Sequence, residues 1–129
     1  MILRFEELLA WQMARELAKR VYSVTSKGSF ARDFKFAGQI QSAAVSIGSN
    51  IAEGFERGSK QEFIRFLMIA KGSCAELRSQ LYSALDVGHL DHESFTSLMD
   101  YAEQVGKVIG GLRVSVEQKK NSSRAPVQR

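Results

Sequence analysis

The chain has 129 residues, of which 44% are apolar and 25% charged, and its formal net charge is +4. That length suits one domain with a core of its own, and a single cysteine, Cys74, excludes a disulfide-dense scaffold. No uncharged apolar run reaches the roughly 18 residues that span a bilayer, and the start, MILRFEELLAWQMARE, lacks the basic and apolar regions of a signal peptide, so the chain reads as soluble and cytoplasmic, with no membrane association.

Four predicted helices follow in chain order. Leu9, Met13, Leu17, Val21 and Val24 recur at steps of three and four, with Ala10 and Ala14 beside them, as on one face of an amphipathic helix. The stretch SKGSF from Ser26 then breaks the pattern, with Gly28 as stop and Ser29 as the expected cap of the second helix. That second stripe runs Phe36, Ile40, Ala43, Ala44, Ile47, Ile51 and Phe55. From Phe36 to Ala52 it carries no charge on any side for 17 residues, so this helix is expected to lie between neighbours on more than one side.

Gly58 can end the second helix in the left-handed conformation and Ser59 can cap the third, forming an S-x-x-E capping box with Glu62. The third stripe runs from Phe63 through Leu67, Ala70, Cys74, Leu77 and Leu81 to Leu85. Gly88 and the cap Asp91 separate it from the fourth, where Phe95, Leu98, Ala102, Val105, Ile109, Leu112 and Val116 alternate steps of three and four. Alternating strand patterns are absent from the sequence, and the connections are short. The reading is therefore all-α: an antiparallel up-down-up-down four-helix bundle over residues 1–118, followed by a disordered basic tail over 119–129.

Charge supports that division. The tail, KKNSSRAPVQR, holds Lys119, Lys120, Arg124 and Arg129 and no acid; without those four, 14 basic residues face 14 acidic ones. Within residues 1–35 there is nevertheless a local excess of +3, and Arg15, Lys19, Lys27, Arg32 and Lys35 are left after Glu16 pairs with Arg20 at the favourable i,i+4 spacing. These cations and those of the tail are the candidate nucleic-acid contacts, against the alternative of an ordinary solvated surface.

Glycines also punctuate the helices, at Gly48, Gly54, Gly72, Gly106, Gly110 and Gly111. Each costs about 1 kcal/mol relative to Ala inside a helix, so close approach of another helix is expected to offset them. Gly106 and Gly110, one turn apart, are the candidate contacts of a homo-oligomer; a tightly packed monomer is the alternative.

Enzymatic motifs are lacking. Gly54 to Lys60 reads GFERGSK, one residue short of a phosphate loop, with Ser and Lys reversed and a helix in place of the preceding strand. His89, His92 and Glu93 surround Asp91 in one loop, where capping by Asp91 accounts for the pattern better than a metal would. Glu53 and Glu76 are conceivable as a pair of catalytic acids. The better account is a structural polar cluster of Asn50, Glu53, Arg57, Glu76 and Arg78, with buried ions retained because they are paired. No enzyme activity, metal, cofactor or small-molecule substrate is expected.

The segments FEELLAWQMARELAKRVYSVT, QIQSAAVSIGSNIAEGFERGSKQEFIRFLMIAKGSCAEL and QLYSALDVGHL resemble the four-helix-bundle family of 23S rRNA intervening-sequence proteins, sometimes labelled a ribosomal protein and related to accessory proteins of diversity-generating retroelements. The resemblance extends from about Phe5 to Leu112. It implies a non-enzymatic oligomeric scaffold or adaptor, a pentameric ring by analogy with the retroelement proteins, whose partner is structured RNA or a nucleic-acid-processing protein. The alternative is a purely structural or protein-binding module. The chain departs from the family pattern in two ways: Gln41 and Ser42 stand where a basic pair is common, and Gly48 where Pro is.

Overall fold

Apolar residues at helical spacing become helices throughout the computed structural model, which describes residues 1–119. A 3-10 turn at Phe5–Glu7 precedes α1 (Leu9–Thr25); α2 (Gly28–Arg32), α3 (Phe34–Glu56), α4 (Lys60–Asp86) and α5 (His92–Gln118) follow. The four long helices are those the sequence predicts, and α2 is an addition. Its Phe30 is 1% exposed, so the chain makes an extra turn to put this ring under the end of the bundle.

The caps show where local chemistry decides and where it does not. Asp91 accepts a hydrogen bond from the Ser94 N–H at 2.7 Å and opens α5 as expected. Ser29 does not cap the second long helix. Asp33 does, accepting from the Phe36 N–H at 3.3 Å, because Gly28, at φ 56°, has already started α2. At the α3–α4 hairpin, Gly58 sits at φ 81° and Ser59 Oγ accepts from the Glu62 N–H at 3.1 Å. The return half of the capping box is not made. The Glu62 carboxylate is occupied by Arg57 at 3.2 Å and Arg65 at 3.0 Å instead.

Cross-contacts fix the directions of the helices. Thr25 on α1 accepts from Gln41 Nε2 at 2.9 Å, while Trp11 and Ala14 of α1 lie against Gly48, so α1 and α3 run in opposite senses. Ser46 meets Ser73 at 3.0 Å and Gly54 meets Phe66, so α3 and α4 do too. Gly106 faces Cys74 and Gly110 faces Lys71, which orients α5 against α4. α1 and α5 close the square, and the diagonal pairs α1–α4 and α3–α5 make no close backbone contact.

Leu17, Ile40, Ile47, Ile51, Phe63, Leu67, Leu77, Leu81 and Ile109 are all fully buried where the four stripes converge. Each such side chain contributes about 1.5–3 kcal/mol of burial energy, so the core dominates stability. Cys74 belongs to it: its thiol donates to the Ala102 carbonyl at 3.2 Å, and burial pushes its pKa up. Two of the helical glycines are explained inside the bundle. A Cβ at Gly54 would lie 2.5 Å from Phe66 Cβ, and one at Gly48 would touch Trp11 and Ala14, so these two positions let α4 and α1 approach α3 closely. Around Gly72 and Gly111 there is open space.

Candidate functional site

Each polar group singled out in the sequence has a definite place. Asn50 donates to Ser46 O at 2.8 Å and Ser46 Oγ at 3.0 Å, and Ser46 joins Ser73, making a polar line from α3 to α4. Nearby, Glu53 binds Arg57 at 2.8 Å, and Arg57, Glu62 and Arg65 continue as an ion-pair chain over the hairpin. Phe66 lies under both guanidinium groups, 4.9 Å from Arg57 and 4.6 Å from Arg65. The predicted five-residue cluster therefore divides. Asn50, Glu53 and Arg57 belong to the hairpin, whereas Glu76 is exposed further along α4 and Arg78 faces α5.

That division also separates the two acids. Since Ser46 lies opposite Ser73, Glu76 is level with about residue 43 of α3, which leaves roughly 15 Å of helix between it and Glu53 at 1.5 Å per residue. Paired carboxylates that share a reacting bond stand about 5–9.5 Å apart. Both acids are exposed rather than buried.

His89 has a role that sequence spacing does not reveal. Its side chain is only 12% exposed; Nδ1 meets Ser29 Oγ at 2.8 Å and Nε2 meets Asp33 Oδ2 at 3.0 Å. The ring stacks on Phe30 with centroids 4.9 Å apart. The hydrogen bond from His89 holds the Asp33 carboxyl below its usual pKa. Such a hydroxyl–imidazole–carboxylate chain is chemically able to activate a serine, and its two ring-nitrogen contacts tie the α1–α3 connection to the α4–α5 connection. His92, one residue beyond Asp91, is exposed and apart from this cluster. Among the described residues no three His, Cys, Asp or Glu side chains come together as a metal site.

The proposed cations are at the surface. Arg15, Lys19, Lys27, Arg32 and Lys35 are exposed and form no ion pair among the described residues, whereas Arg20 binds Glu16 at 3.0 Å and covers the Tyr101 ring at 4.0 Å. Arg15 and Lys19 border a shallow groove of about 320 Å³ beside Trp11. Of the tail cations, Lys119 lies just past α5, its carbonyl accepting from Lys60 Nζ; Lys120, Arg124 and Arg129, and with them the reading of a disordered tail, lie outside the described residues.

The uncharged helix is α3, and its outer face is open. Gly38, Gln39, Ser42, Val45 and Ser49 are exposed, with Val45 at 45%. Across the Ser46–Ser73 line, α4 continues this surface with Met68 at 58%, Ile69 at 40% and Gly72. Gly106 and Gly110 are half-buried and face α4 of the same chain, so the approach they allow is that of α5 to α4. No described helix is long and apolar enough to cross a membrane.

Comparison with known proteins agrees with the fold. A crystal structure at 1.70 Å of a protein of unknown function from the S23 ribosomal protein family of Bacteroides thetaiotaomicron VPI-5482 superposes with a TM-score of 0.74. The match has 22% sequence identity and covers 81% of this chain and 98% of that one. No curated protein sequence matches. The family described as 23S rRNA-intervening sequence protein matches residues 6–111. That match spans most of the bundle, from the first turn nearly to the end of α5, and the chain belongs to this family of 23S rRNA-intervening sequence proteins.

Proposed function

We propose that the protein is a non-enzymatic, homo-oligomeric scaffold whose exposed cations engage structured RNA. The observation that carries this reading is the outer face of α3, where Gly38, Gln39, Ser42, Val45 and Ser49 are exposed without a charge among them, together with the exposed Met68 and Ile69 on the adjoining α4. A contiguous surface of this kind on a soluble domain marks a contact with another protein, and a second copy is the partner always at hand. A closed ring uses such a face in every subunit, and five is the number suggested by the family resemblance.

Assembly gives the cations their significance. Arg15, Lys19, Lys27, Arg32 and Lys35 form no ion pair among the described residues, and a ring would repeat the set in each subunit, multiplying phosphate contacts. The name of the family, which refers to 23S rRNA, makes structured RNA the first partner to try. The test is fluorescence anisotropy of a labelled rRNA hairpin as salt is raised from about 50 mM, a range where counterion release dominates. The reading expects binding that weakens steeply with salt, and a smaller log–log slope when Lys27, Arg32 and Lys35 are replaced by Gln. Absence of salt-dependent binding near 50 mM leaves the purely structural or protein-binding alternative in its place.

A further inference from the structure

On the side of the bundle opposite the α1–α3 pair, α4 and α5 enclose a groove of about 260 Å³. Cys74 and Gly106 form its floor; Lys71 and Arg78 reach it from α4 and Lys107 from α5, with Glu103 as the one acid in the lining. None of these three cations forms an ion pair among the described residues, although Arg57, Arg65 and Arg113 elsewhere on the bundle all do. Lys71 and Arg78 are two turns apart, roughly 10 Å, with Lys107 on the facing helix.

Small residues keep the space open. Gly106 lines the groove, and a Cβ there would already stand 3.6 Å from Cys74 Sγ, so a longer side chain at this position would fill it. Burial raises the pKa of the Cys74 thiol on the groove floor, and the positive charges of Arg78 and Lys71 both oppose that rise. Glu103 offsets only one of the three positive charges, and an anion relieves the repulsion that remains.

We propose that the α4–α5 groove binds a phosphate dianion. Three cations and one acid leave the lining at +2, which a phosphomonoester or free phosphate neutralises and a single carboxylate does not. Arg78 supplies the planar fork suited to two phosphate oxygens; Lys71 and Lys107 act as point charges. The anion comes either from a free phosphate or from the 5′-terminal phosphate of a nucleic-acid strand. The site is independent of the RNA reading above, because inorganic phosphate alone probes it.

The experiment is equilibrium dialysis of the full chain with inorganic phosphate at about 20 mM salt, where screening is weak. It is repeated with short oligoribonucleotides bearing either a 5′-phosphate or a 5′-hydroxyl. Inorganic phosphate is expected to bind, with Arg78→Gln and Lys107→Gln each weakening it about tenfold. Arg65→Gln, outside the groove, should leave binding of inorganic phosphate unchanged. Preference for the 5′-phosphorylated strand assigns the dianion to a nucleic-acid end, and equal retention of both strands assigns it to free phosphate. Circular dichroism confirms that each variant is folded. The proposal is overturned by the absence of phosphate binding, or by binding that Arg78→Gln and Lys107→Gln leave intact.

Discussion

Replacement of Gly54 by Ala should destabilise the bundle although Ala is the better helix former. The added Cβ would lie 2.5 Å from Phe66 Cβ and 3.3 Å from Phe63 Cδ1. Carbon atoms pack at about 3.5–4.0 Å, so α3 and α4 must separate by about 1 Å just where the hairpin is tightest. Phe66 Cβ is anchored to the α4 backbone and cannot swing away as the end of a long side chain could. Overpacking of this kind costs about 1–3 kcal/mol, against about 1 kcal/mol gained in helix propensity, and the rigidity of the clash puts the net loss near 1–2 kcal/mol. Gly111→Ala is the matched control, because nothing lies within 4 Å of a Cβ there. It should gain about 0.5–1 kcal/mol. Urea denaturation followed by circular dichroism, at matched protein concentration, compares the two midpoints directly. If Gly54→Ala were as stabilising as Gly111→Ala, the close approach of α3 and α4 would be wrong.

Other expectations follow from single contacts. His89→Ala removes the partner of Ser29 and Asp33 and the ring stacked on Phe30, and should lower stability by about 1–3 kcal/mol in the same denaturation assay. The Asp33 carboxyl titrates below its usual value in the folded protein, so its stabilising contribution is complete above the unfolded pKa of about 4 and is lost as pH falls through the folded value. Asp33→Asn, which keeps a capping oxygen, should therefore flatten the fall in stability in acid; an unchanged acid limb in a pH series of melts would remove Asp33 from that role. Gln80 Oε1 is buried without a hydrogen-bond partner among the described residues, so Gln80→Met should be neutral or stabilising by up to about 1 kcal/mol, and a lower melting temperature would show a missed partner.

Local patterns carried the long helices. The three-and-four rhythm from Phe95 to Val116 is α5, and the caps Asp91 and Ser59 act through residues three positions away, within reach of sequence reasoning. What was missed depends on distant parts of the chain. α2 is too short for any periodicity, and its reason for existing, the burial of Phe30, belongs to the tertiary structure. His89 meets Ser29 and Asp33 across 60 and 56 residues of sequence. The local excess of positive charge along the chain lies in residues 1–35, whereas Lys71, Arg78 and Lys107 line one groove only because α4 packs on α5. The lack of charge on α3 was plain in the sequence; that its outer face stays open could be seen only once α1 and α4 had taken the other sides.

In the scaffold proposed here, this open face joins copies of the chain. Sedimentation equilibrium of the wild type and of a Val45→Glu, Ile69→Glu double variant at micromolar concentration tests it. Both residues are exposed in the single bundle, so the variant should keep its helical circular dichroism and sediment as a 14.4 kDa monomer, while the wild type sediments at a multiple of that mass. A wild type that sediments at 14.4 kDa would contradict the claim.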